Sequence, residues 1–222
     1  VFSKVGNLQF FSHLDLQRTW QRVLVRASIP MWYTQGFNPH SKIVFGIPLS
    51  VGTEGTHEMV DLRIDRAITP DEMRDQLNAE LTDEMQVSAV YIPTTAFSDI
   101  AYATYTVTFS DPSAASVEAD AVEALFAPGA APILMTKRTK SGDREMDILP
   151  LIREIHAARE ADGTLILHAT LAAGGSANLS PEFLVAALRE KLGMLTDTEH
   201  PDVCWYRILR TGFLCADGSE FR

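Results

Sequence analysis

The alternation of apolar and polar positions marks out most elements of this chain before any other property is needed. Residues 1–11 mix alternation with strand-forming residues and read as a strand. A helical pattern then covers residues 12–28 and stops before Pro30, with Ser12 and Asp15 at capping-box spacing. Leu16, Trp20, Val23, Leu24 and Ala27 share one face of that helix, while Arg18, Arg22 and Arg26 climb the opposite face at four-residue spacing. A turn-rich loop follows from Tyr33 to His40, marked by Gly36 and Asn38-Pro39. Residues 43–49 alternate as one strand and residues 56–65 as another, with Val60, Leu62 and Ile64 inward and Met59, Asp61 and Arg63 outward, and the two are expected to pair. Thr69-Pro70 opens a helix to about residue 81, and residues 87–92 form a further strand.

The rest echoes this order. Residues 102–109 read as a strand, 116–126 as a helix, 133–139 and 164–171 as strands, 180–192 as a helix and 205–214 as a closing strand. An extra helix over residues 149–160 is expected before the third strand of this half. The order β-α-β-β-α-β thus occurs twice, which predicts an α+β fold of two tandem ferredoxin-like units. The first spans residues 1–94 with the basic, aromatic loop; the second spans residues 102–222 with the inserted helix.

At 222 residues, 46% hydrophobic and 22% charged, the chain has globular composition, which excludes a disordered or collagenous protein. Its two cysteines, Cys204 and Cys215, are too few for a disulfide scaffold, a four-thiolate zinc site or an iron–sulfur cluster, and a reducing cytoplasm is the expected compartment. No run approaches the roughly 20 apolar residues that span a bilayer, so no membrane partner is expected. The chain starts at Val1 and can be a fragment of a longer protein. The net charge of −10 argues against a simple nucleic-acid binder. That mean conceals an asymmetry: through residue 53, Lys4, Arg18, Arg22, Arg26 and Lys42 stand against Asp15 alone. A polarised surface with one anion-preferring end follows.

Candidate chemistry concentrates there. His13 falls in the first helical turn, where the positive end of the macrodipole opposes imidazolium and favours a neutral base; a packed capping histidine is the plainer expectation. The stripe Arg18, Arg22 and Arg26 suits phosphate or carboxylate recognition, or is a solvated helix face. In the loop, Trp32, Tyr33, Phe37 and His40 interleave with Asn38 and Lys42, the pairing of flat rings and cations that stacks bases and holds phosphates; the same rings could instead seal an open edge. Glu58 falls in the inward phase, so its carboxylate is either solvated at a frayed strand end, the plainer expectation, or buried and paired, the signature of a functional site.

Elsewhere the signals are weaker. The histidines 13, 40, 57, 156, 168 and 200 show no metal-binding spacing, and no metal site is expected. Gly174-Gly175 before Ser180-Pro181-Glu182 reads as a strand-to-helix turn. Lys137, Arg138, Lys140 and Arg144 form a second basic run, either a mobile hairpin or an extension of an anion track.

The segments Phe10-Phe11-Ser12-His13-Leu14-Asp15, Arg26-Ala27, Tyr33-Thr34-Gln35-Gly36-Phe37-Asn38-Pro39-His40 and Pro48-Leu49-Ser50-Val51-Gly52 resemble a radical-SAM-linked bacterial domain family of unknown function. Residues 58–61, the basic run to Met146-Asp147-Ile148, and residues 171–182 continue the likeness, although Ser180 stands where that family is expected to carry arginine. The resemblance implies a radical-SAM protein or domain as partner. Its neighbourhood of ribonuclease and ribosomal-protein genes implies RNA or ribosome biology. Without Cys-x-x-x-Cys-x-x-Cys the chain cannot hold the cluster that reduces S-adenosylmethionine, so no cofactor is expected in it.

Three functions follow as expectations. The first is a non-catalytic accessory module that binds RNA or presents substrate through Arg18, Arg22, Arg26, Tyr33, Phe37, Asn38, His40 and Lys42. The second, by looser likeness to CRISPR repeat-processing endoribonucleases, is metal-independent RNA cleavage. There His13, Tyr33, His40 and Lys42 compose the site, His13 accepting the 2′-hydroxyl proton and Lys42 steadying phosphate charge. The third is a protein-interaction scaffold for the radical-SAM partner.

Overall fold

A computed structural model describes residues 1–139, 142–175, 177–197 and 204–222. The chain forms two compact units, Val1–Phe97 with Arg222, and Ser98–Phe221. Both are mixed α+β.

In the first unit, strand β1 (Phe2–Lys4) passes into a 3₁₀ turn (Gly6–Phe10) rather than continuing to residue 11. Gly6 turns the chain there with φ +61°, and a Cβ at this position would collide with the Glu84 carboxylate. Helix α1 (His13–Arg26) starts on the expected capping box: Ser12 Oγ accepts from Asp15 N, and the Asp15 carboxylate accepts from Ser12 N. Strands β2 (Ile43–Phe45), β3 (Thr53–Glu58) and β4 (Val60–Leu62) follow, then α2 (Pro70–Asn78), capped by Thr69. The apolar face of α1 packs as expected, burying Leu16, Trp20, Val23, Leu24 and Ala27 with Phe2, Met73, Leu77 and Val87. Each large side chain so buried contributes roughly 1.5–3 kcal/mol.

β1 runs antiparallel to β3, and β4 antiparallel to β2. On the other side of β1, residues 84–88 pair antiparallel with it through Ser3 N to Gln86 O (2.8 Å), Val5 N to Glu84 O (2.9 Å) and Ser88 N to Val1 O (3.0 Å). The expected strand over residues 87–92 is reduced to this segment. Asn78 caps the outer edge of this segment: its side chain accepts from Val87 N (2.7 Å) and donates to Val87 O (3.0 Å), the groups that face away from β1.

The second unit carries β5 (Ile100–Ser110), α3 (Ala119–Phe126), β6 (Leu134–Thr139), β7 (Gly142–Asp147), β8 (Ile152–Arg159), β9 (Leu165–Ala172), α4 (Glu182–Leu192) and β10 (Trp205–Cys215). Its sheet has the order β10-β5-β9-β8, every neighbour antiparallel, and β6 and β7 form a separate hairpin. Ala103, Tyr105, Val107 and Phe109 alternate inward along β5 and share the core with Leu165, Leu167, Leu184 and Leu188.

Two expectations are corrected. The inserted helix at 149–160 is a 3₁₀ turn (Leu149–Leu151) followed by β8, and the insertion is the β6–β7 hairpin. A register shift between Ile152 and Glu154 separates the apolar Ile152 and Ile155 by three positions, which mimics a helical period. Glu58 is buried at 5% exposure rather than frayed. Gly55 makes the room: a Cβ there would strike the Glu58 carboxylate.

Candidate nucleic-acid interface

The loop from Tyr33 to Lys42 hangs from three extended segments that converge at one edge of the first unit. Met31 bridges Ile64 and Tyr33 bridges Ser41. Trp32 N donates to Arg63 O (2.9 Å), Asp65 N to Pro30 O (2.8 Å) and Arg63 N to Lys42 O (3.2 Å). Above this base, Thr34 N donates to His40 O (3.0 Å), and Thr34 Oγ1 accepts from His40 N (3.1 Å) while lying 3.1 Å from His40 Nδ1. The loop is therefore closed at its neck, and Gly36, at φ +141°, turns the tip.

At that tip Phe37 is wholly exposed (112%), so its ring seals nothing. Tyr33, Asn38, His40 and Lys42 are exposed around it. Trp32 lies half-buried with the Arg63 guanidinium 4.0 Å above its ring, a cation held over a flat surface. Arg63 is the residue the sequence did not assign to the site. The strand pattern put it outward, but only the pairing of Met31 with Ile64 brings it to Trp32. Asp61, opposite Val44, and the exposed Asp65, two positions beyond Arg63, are acids in the same phase of this segment.

The arginine stripe belongs elsewhere. Arg26 donates from Nε to the Glu80 carboxylate (2.9 Å) and from Nη2 to Glu80 O (2.9 Å), beyond the end of α2. Glu80 leads to residues 84–88, on the side of β1 away from β2, so the end of the stripe and the loop occupy opposite edges. Arg18 and Arg22 are exposed. Hydrogen bonding by Ser12 holds the Asp15 carboxyl below its usual range, and Arg18 adds a smaller pull in the same direction. Arg26→Ala is expected to change the unfolding free energy by no more than about 0.5 kcal/mol in urea titrations, since the pair is largely solvated.

His13 stacks edge-to-face on Phe45, with ring centroids 5.4 Å apart. Alternation along β2 puts Phe45 and Ile43 on the core side and Val44, with Lys42 before it, on the solvent side. His13 and Lys42 therefore sit on opposite faces of β2 and do not compose one cleavage site. His40 Nδ1 is turned to Thr34 Oγ1 and to Asn38 O (3.3 Å), a loop-closing role.

In the second unit, partial burial and the Asp111 carboxylate push the Cys204 thiol up, away from a neutral-pH nucleophile. Gly174 answers a close approach, since a Cβ would lie 2.9 Å from Ile100 O. The basic run forms the β6–β7 hairpin, with Lys137 opposite Arg144. Lys140 and His200 lie outside the described residues. Among the described residues, no three His, Cys, Asp or Glu side chains converge to hold a metal ion, and no helix is long and apolar enough to cross a membrane.

No match was found among curated proteins. A chain from the crystal structure of a Cbf5-Nop10-Gar1 complex aligns with a TM-score of 0.50 at 10% identity, over 95% of this chain and 47% of that one. That likeness is one of fold, and this chain spans about half the length of the chain it matches. A family model described as an uncharacterized protein conserved in bacteria, DUF2344, matches residues 1–181. Because that match takes in the whole first unit, its loop and its arginine stripe, together with most of the second unit, the chain belongs to the DUF2344 family of bacterial proteins.

Proposed function

We propose that this chain is a cytoplasmic, non-catalytic accessory module of a radical-SAM protein, built from two ferredoxin-like units, and that the loop edge of the first unit binds RNA. The strand orders support the fold reading. In each unit the fourth strand of the repeat lies beside the first, the first beside the third and the third beside the second. The radical chemistry and its cluster reside in the partner.

The observation that carries the RNA reading is the exposed Phe37 ring at the tip of a loop whose base carries the exposed Tyr33 and Lys42 and the Arg63–Trp32 stack. Flat rings stack on unpaired bases of any sequence, and adjacent cations neutralise phosphates. Phosphate neutralisation releases counterions, so binding of a structured RNA such as transfer RNA is expected to weaken steeply as salt rises. Lys42→Glu with Arg63→Glu is expected to weaken it about tenfold or more at low salt and to flatten the salt slope by about one unit per cation removed. Arg18→Glu and Arg22→Glu, on the solvent face of α1 rather than on the loop, are expected to do less. Absence of low-salt binding, or a salt-independent affinity, would sink this reading.

Phe37 alone also supports a second reading, in which the loop docks the radical-SAM partner protein. Retention of the partner by the chain in nuclease-treated lysate, lost in Phe37→Ala, identifies that case.

A further inference from the structure

Opposite its core face, helix α1 carries a second row of side chains that stays in water. Leu14, Arg18, Gln21 and Val25 follow one another at spacings of four, three and four, so they form one straight row along the helix, with Arg22 beside it. All five are exposed, Leu14 at 51% and Val25 at 68%. One exposed leucine or valine needs no explanation. Two of them in register at the ends of a row, roughly 17 Å apart at ~1.5 Å of rise per residue, with cations between, have the layout of a helix–helix seam. Phe10 and Val51, also exposed, lengthen its first end: Gly52 N donates to Gln9 O (2.9 Å), which joins their two segments just before α1.

The middle of the row is cationic and unsatisfied. Arg26 is taken by Glu80, but among the described residues Arg18 and Arg22 have neither an ion pair nor a hydrogen bond. Asp15, the acid of α1, is turned to Ser12, whose amide and hydroxyl donate to it (3.3 and 2.6 Å), and it only flanks Arg18. On α2, which shares this core, Asp71 and Asp75 are held by Arg74, and Glu72 accepts from Gln76. That arrangement selects the occupant. A second α1 would bring these arginines against their own kind, a repulsion with nothing to offset it. A nucleic acid would use the arginines and leave Leu14, Val25 and Phe10 in water. A protein helix with acids between apolar residues answers both features.

We propose that the solvent face of α1 docks an amphipathic helix of a partner protein, one that carries Asp or Glu a turn apart between apolar residues. The partner's apolar side chains lie against Leu14 and Val25, and its carboxylates pair with Arg18 and Arg22. The site uses none of the loop residues from Tyr33 to Lys42, so it stands or falls separately from the RNA reading.

The test places photoreactive benzoylphenylalanine at Gln21 of the full chain in its native bacterium, with the same group at the exposed Glu72 of α2 as control. Gln21 is expected to cross-link one protein well above the control. The attached segment, read by mass spectrometry, is expected to be a helix-forming stretch with acids three or four residues apart among apolar ones. That segment is then made as a labelled peptide and titrated with the full chain. Arg18→Glu with Arg22→Glu is expected to weaken binding about tenfold or more, and lysines in place of the peptide's acids to do the same. The two changes together are expected to recover most of the affinity, as direct charge pairing requires and a structural effect would not. Leu14→Ala is expected to weaken binding several-fold, while Phe37→Ala leaves it within twofold. A cross-link to a second copy, to nucleic acid or to nothing overturns the proposal. So does an attached segment without acids, or a charge exchange that recovers no affinity.

Discussion

Asp111→Ala is expected to lower the unfolding free energy by about 2–4 kcal/mol, read as a drop in urea midpoint at unchanged slope. The carboxylate is buried at the end of β5 and accepts from Ser113 N (2.9 Å), from the Ser113 hydroxyl, from Leu195 N (2.7 Å) and from the Cys204 thiol (3.4 Å). Leu195 adopts the left-handed conformation, φ +54°, just past α4 and the Gly193 cap. A leucine is strained there, and its amide is held by the Asp111 carboxylate together with Ser113 Oγ (3.2 Å). Alanine would leave that amide only the longer Ser113 Oγ contact, with the serine itself no longer held by the carboxylate, and so loosen the turn that ends α4. Burial alone would raise the Asp111 carboxyl, but the bonds from Ser113 and Leu195 outweigh it and leave the group below its usual 3.8. The folded carboxyl thus holds its proton less tightly than the unfolded one. The parent's advantage over Asp111→Ala should be complete at neutral pH and shrink as pH falls below about 4. A difference that persists undiminished to pH 2 would show that the charge is not what Asp111 supplies.

How much of this was legible in the residues depended on whether the cause was local. Helix α1 needed only Ser12, Asp15 and the spacing from Leu16 to Ala27, and all of these act within a few residues of one another. The loop was legible as a turn from Gly36 and Asn38-Pro39, and its aromatic and cationic content could be counted. Where the cause lay across the sheet, the pattern misled. β8 was hidden because a bulge broke its two-residue period at the point where the edge of the sheet left its other face polar. The fourth strand of the first unit was misplaced because its pairing with β1 begins at residue 84, and nothing in residues 87–92 shows where β1 lies.

Glu58 and Arg63 mark the same limit at the level of side chains. Alternation put Glu58 inward, and the cost of burying a carboxylate argued for a frayed end. What decided its burial was Gly55, three residues away on a strand that bends. Arg63 looked like an outward strand residue among others until pairing across more than thirty residues set it over Trp32. The arginine stripe was legible as a stripe, but its final member is engaged by Glu80, a partner the helix pattern could not name.

Trp20→Ala is expected to cost about 3–5 kcal/mol, the usual toll for emptying a large aromatic site in a packed core. Trp20 is 1% exposed and meets Phe2 edge-to-face at 5.0 Å; Phe2 meets Phe45 at 6.5 Å, and Phe45 meets His13 at 5.4 Å. This run of rings seats α1 on β1 and β2 together, and Lys42 enters β2 directly. Loosening the seat is therefore expected to weaken the RNA binding proposed for the loop edge even where the variant remains mostly folded. Trp20→Phe separates the two contributions. The Trp20 Nε1 is buried without a hydrogen-bond partner, so phenylalanine removes an unsatisfied N–H while keeping a ring against Phe2. Its expected cost is about 1–2 kcal/mol, with RNA binding near the parent's. Arg22→Glu, on the solvent face of the same helix, should leave stability within about 0.5 kcal/mol. If Trp20→Ala lost stability but bound RNA like the parent, the ring contacts would stabilise the unit without setting the geometry of its loop.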